Sequence, residues 1–163
     1  MAAISTTIRD AVVAALNAAV AEPDAVYPAE NAPFRFGFEA EGKFVVNVNL
    51  PEGFTGLSVP VICTSVKSAP ADRDTDADTV VVEIGILKRI DRAAAAEDEF
   101  AEVGDLVEFA EQIRDWIRRN PIDGAELAND PLTLDPLYDH DLLSKAGLFA
   151  AVVKVPILAQ FEN

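Results

Sequence analysis

The apolar positions change period several times along the chain, and each change marks an element. Ile8, Val12, Ala15, Leu16 and Ala19 recur on one helical face. Thr7-Ile8-Arg9-Asp10 reads as a capping box ahead of them, Ile4 lies in phase so that the helix has an equally good earlier start, and Pro23 closes it. Glu22 to Pro33 has the Pro, Asp and Asn content of a loop. The period then becomes two. Phe34, Phe36 and Phe38 alternate with polar or small residues, Glu41-Gly42 offers a turn, and Phe44, Val46, Val48 and Leu50 alternate again, predicting a β-hairpin.

Leu57 to Val66 supplies a further strand, in which Pro60 favours an edge position or a bulge. Residues 67 to 79 are polar and acidic and read as a connection. Val80 to Leu87 is apolar on both of its faces before the charged exit Lys88-Arg89, as in a central strand. Val103, Leu106, Ala110, Ile113 and Ile117 form the stripe of a second helix, widened by Phe109 and Trp116. Its acids come early, its bases Arg114, Arg118 and Arg119 come late, and Pro121 stops it. Pro121 to Leu143 lacks a period and predicts a long irregular connection. Leu148 to Phe161 returns as a closing strand with Phe149, Ala151, Val153, Val155 and Ile157 on one face. Strands clustered between two helices, with one strand returning last, predict a single α+β domain over residues 1–163: a mixed or antiparallel sheet with two main helices packed on one face.

Charge narrows the partners. The 163 residues carry 28 Asp and Glu against 13 Lys and Arg, a net −15, so the surface repels phosphate backbones and anionic membranes. No apolar run reaches the length of a membrane span, the Ala-rich start lacks a basic leader, and the single Cys63 has no disulfide partner within the chain. A soluble protein of a reducing compartment is the expectation.

The catalytic search is short. His140 is the sole His, flanked by Asp139 and Asp141, and Ser144 is the nearest hydroxyl, but no nucleophile elbow, oxyanion loop, Walker loop or dinucleotide fingerprint accompanies them. No enzyme and no cofactor are expected. Counting from Asp72, the carboxylates Asp72, Asp74, Asp76 and Glu83 fall at positions one, three, five and twelve, as in a calcium loop, while Ala77 occupies the position that normally needs Gly. The alternative is a solvated acidic loop that discourages edge pairing. Acids also accumulate at Glu97, Asp98, Glu99, Glu102, Asp105, Glu108 and Glu111, the composition of a solvated face or of a surface that stays beside DNA without adhering to it.

Three parts of the chain carry a resemblance: Val80 to Asp91, the helix Leu106 to Ile113 after an acidic spacer, and Asn129-Asp130-Pro131-Leu132 followed by Asp135-Pro136-Leu137-Tyr138-Asp139. With the opening helix Ile8 to Leu16 and the final strand, they resemble the tail terminator or tail-completion group of long-tailed bacteriophages and prophages. The resemblance implies an α+β subunit of the virion tail, assembled in the host cytoplasm. It further implies a homo-oligomeric ring, a hexamer, that caps the major tail tube protein and joins the head–tail connector. DNA would only pass through such a ring, and Asp72, Asp74, Asp76 and Asp78 are the candidates for an acidic channel lining. A head-completion or stopper protein of the same module, and a non-enzymatic acidic DNA mimic, are the alternative readings.

Overall fold

The computed structural model describes residues 3–21, 44–45, 57–70, 75–90 and 96–162. The elements run α1 (Ile4–Ala21), β1 (Phe44–Val45), β2 (Leu57–Pro70), β3 (Thr75–Arg89), α2 (Ala96–Arg119), β4 (Glu126–Leu127), β5 (Thr133–Leu134), α3 (His140–Ala146) and β6 (Leu148–Glu162). The sheet order is β1-β2-β3-β6-β4, with β5 also paired to β6. β1 is parallel to β2 and the other pairings are antiparallel, so the α+β fold is built on a mixed sheet.

Alternation places every second residue of β3 and β6 on one face. Val80, Val82, Ile84 and Ile86 of β3 and Phe149, Ala151, Val153, Val155 and Ile157 of β6 are buried there. Ile8, Val12 and Leu16 of α1 and Leu106, Phe109, Ala110, Ile113 and Ile117 of α2 join them in one core cluster. Both long helices therefore cover the same face, hereafter the inner face.

Several expectations are corrected by the structure. Thr7 does not cap α1: its hydroxyl donates to the Ala3 carbonyl at 3.3 Å from inside a helix that starts at Ile4. The expected hairpin over 34–50 lies outside the described residues except for Phe44–Val45. The polar connection at 67–79 is mostly ladder, since Lys67 pairs with Thr79, Ser68 with Asp78 and Pro70 with Asp76. Backbone hydrogen bonds continue a hairpin past the end of its apolar core, and hydrophobic periodicity does not register them. The irregular connection after Pro121 holds β4, β5 and α3, elements too short to display a period. α3 is announced by its ends instead. Asp139 accepts a hydrogen bond from the Leu142 N–H at 2.9 Å, and Gly147 closes the helix at φ 64°, a left-handed conformation suited to glycine.

Pro60 was expected to mark an edge or a bulge. β2 has a register shift between Cys63 and Ser65, and its outer neighbour β1 pairs with it only at Val59 and Pro60. The Pro60 ring faces Gly85 across the ladder, where a Cβ would lie 3.1 Å from its Cγ. Gly85 therefore permits a close approach of the two strands that a side chain would strain.

Candidate assembly surfaces

The helix layer presents the acids. Asp105, Glu108 and Glu111 are exposed on α2, opposite the stripe that Leu106, Ala110 and Ile113 bury. Other charges on this layer are matched within the chain. Lys88 of β3 forms an ion pair with Glu102, and Asp115 accepts from Arg114 at 3.1 Å and from Arg118 at 3.2 Å.

The hairpin acids divide between two faces. Asp72 and Asp74 lie outside the described residues. Asp76 stands opposite Pro70 and Phe161, and Asp78 opposite Ser68 and Ala159, at positions that share the inner-face parity of Val80. Glu83 has the other parity, its Oε1 3.9 Å from Lys154 Nζ, which also lies 3.7 Å from Asp135. Seven residues of strand separate Asp76 from Glu83, roughly 23 Å. With opposite parity as well, these two cannot ligate one ion, so the calcium-loop spacing does not become a calcium-loop geometry. Among the described residues no group of three or more His, Cys, Asp or Glu is placed to hold a metal.

His140 is the first residue of α3, and its ring lies 4.2 Å from that of Tyr138. Asp139, the acid best placed by sequence to orient an imidazole, is engaged in capping the helix. Cys63 lies on β2 beside the start of α1, with its thiol 3.1 Å from the Ser5 carbonyl, to which it donates. Burial pushes this thiol above its ordinary value, against a smaller opposing effect of the Arg9 charge. A thiol held neutral is a poor nucleophile.

Two grooves flank the turn at 121–126, in which Gly124 takes φ 77°. One, of about 340 Å³, has Ile117, Val155 and Ile157 in its lining with Arg118 and Arg119; the other, of about 670 Å³, runs past Ile4, Ile8 and Ala159 with Asp123. Neither lining contains a His, Cys, Ser or Thr. No helix among the described residues is long and apolar enough to cross a membrane.

β3 was read as apolar on both faces in a sheet with two main helices packed on one, and both long helices do lie on one face. Val81, Leu87, Val152 and Leu158 point the other way and are half-buried. The signal was present in the sequence as the apolar odd-numbered positions of β3, and it required the helix placement to be interpreted. Comparison with protein-family models finds no match, and no curated protein matches the chain.

Proposed function

We propose that this chain is a virion assembly protein of a long-tailed phage or prophage, a tail terminator that forms a ring on the tail tube and joins it to the head connector. The observation that carries this reading is the sequence resemblance in Val80 to Asp91, Leu106 to Ile113 and Asn129 to Asp139. In the folded chain these segments are the central strand, the main helix and the edge of the same α+β unit. A ring subunit needs surfaces and no reaction centre. The acids exposed on α2 and those at the β2–β3 hairpin suit a wall past which DNA moves without adhering.

The test is electron microscopy of particles assembled without this protein. Tubes of uncontrolled length or tails not joined to heads are the expected result; normal tails on heads reject the proposal. Within assembled particles, Asp78→Lys is expected to slow DNA ejection if the hairpin lines the channel, and unchanged ejection removes the hairpin from the channel.

A further inference from the structure

We propose that Asp123 is a modification site, at which the side chain closes on the main-chain nitrogen of Gly124 to a succinimide that opens to isoaspartate. The reaction needs a carboxyl group, an unengaged amide nitrogen on the next residue, and room for the two to meet. Asp123-Gly124 is the only Asp-Gly in the chain, which has no Asn-Gly. Glycine suits the step because it brings no side chain to obstruct the attack.

The fold leaves both reactants unengaged. Asp123 and Gly124 are the exposed centre of the turn between Ile122 and Ala125, which the Ala125 N–H closes by donating to the Ile122 carbonyl at 3.0 Å. Among the described residues neither the Gly124 N–H nor the Asp123 carboxylate has a hydrogen-bond or ion-pair partner. Gly124 sits at φ 77° with open space where a Cβ would stand. Packing around Gly124 therefore does not oppose the rotation that brings the carboxyl carbon to the nitrogen.

The other described aspartates outside this turn each lack one of the conditions. Asp10, Asp105 and Asp115 lie within α1 and α2, where the next residue's N–H is bonded to the preceding turn. Asp76 and Asp78 lie in β3, which β2 and β6 bond on both sides. Asp130 and Asp135 precede Pro131 and Pro136, whose nitrogens carry no proton. Asp139 spends its carboxylate on the Leu142 N–H, the same amide that Asp141 would need.

The step is intramolecular and needs no co-reactant but water. The Gly124 nitrogen loses its proton and bonds to Asp123 Cγ; the Cγ–OH bond breaks, and that oxygen leaves as water with the carboxyl and amide protons. Water then adds to the ring's main-chain carbonyl, and the bond from that carbonyl to the Gly124 nitrogen breaks. The chain now continues through Cγ and carries a free α-carboxylate, with no change of oxidation state. Charge is conserved, while the turn gains one main-chain carbon between α2 and β4. The modification stands independently of the tail reading: normal tails without the protein leave it in place, and an unmodified Asp123 leaves that reading in place.

The test is incubation of the full chain for several weeks at physiological temperature and neutral pH, beside a synthetic peptide spanning Pro121–Leu127. Protein isoaspartyl methyltransferase with labelled S-adenosylmethionine measures the isoaspartate, and electron-transfer fragmentation of the tryptic peptide Asn120–Lys145 places it. Isoaspartate is expected to accumulate at Asp123 at a rate comparable to that in the synthetic peptide. Asp123→Glu, folded as judged by circular dichroism, loses the label in this tryptic peptide, because its longer side chain closes the ring far more slowly. Asp123→Asn, whose amide releases ammonia in place of water, converts faster than the unchanged chain. An Asp123 that stays unconverted in the folded chain while the synthetic peptide reacts overturns the proposal. So does equal conversion at Asp139 or Asp141, or label in the tryptic peptide that survives Asp123→Glu.

Discussion

β3 is one strand with two apolar faces and two different fates. Val80, Val82, Ile84 and Ile86 are fully shielded under α1 and α2, whereas Val81 and Leu87, separated from them by single residues, remain half-buried. The side chains are of similar type. What differs is the cover: the inner face receives two amphipathic helices from the same chain, and the outer face receives neither. Alternation thus determines which residues travel together, while the helices determine which set becomes core.

The contrast is most severely tested by deletions on the inner side. Phe149→Ala removes a fully buried ring stacked near Tyr138, with ring centroids 5.7 Å apart, and is expected to cost about 3–5 kcal/mol in denaturant unfolding. A sharper comparison uses two neighbours and one chemical change. Val82→Ala is expected to cost about 2–3 kcal/mol, from two lost buried methylene equivalents and the cavity left behind. Val81→Ala, on the other face, should cost under about 1 kcal/mol. Equal losses at the two positions would show that the outer face is as much a part of the folded core as the inner one.

A smaller effect belongs to the element that finishes the inner layer. α3 has no buried residue, but Leu143 packs against the core cluster. Asp139→Ala removes its N-cap and is expected to cost about 1 kcal/mol, while Asp139→Asn, which keeps an acceptor oxygen, should retain most of that. Hydrogen exchange at the amides of 140–146 should accelerate with little change in β3. Accelerated exchange throughout the sheet would instead make α3 a main support of the inner layer.

The parts of the fold that were legible in the sequence are those in which burial repeats. Leu106, Ala110, Ile113 and Ile117 announce α2, and Val80 to Ile86 and Phe149 to Ile157 announce the two central strands, because each element places a periodic set of side chains against one core. The ladder between Lys67 and Thr79 was illegible for the converse reason: it is held by backbone hydrogen bonds that any non-proline residue can make. The two-residue strands β4 and β5 are likewise set by register with β6. The spacing of Asp72, Asp74, Asp76 and Glu83 was legible but misleading, since a calcium loop wraps its ligands round one ion and Asp76 and Glu83 stand on one strand at opposite parity. The Glu83–Lys154 pair joins residues far apart in the chain, so only the β3–β6 register reveals it.

The smallest expected effect concerns Cys63, which lies where the cover of α1 thins. Val61, two residues earlier, is fully buried, whereas Cys63 is half-buried and Val66 is 48% exposed. Burial raises the thiol's pKa in the folded chain, so the folded state holds its proton through the range in which the unfolded chain releases it. The resulting stabilisation is complete below the ordinary thiol pKa and is lost as pH rises through the raised value. Unfolding midpoints measured from about pH 7 to about pH 10 should therefore fall more steeply for the unchanged chain than for Cys63→Ser, which keeps a donor for the Ser5 carbonyl and removes the titrating group. Parallel slopes would mean that water reaches Cys63 as freely as in the unfolded chain, and would move the boundary of the inner core back to Val61.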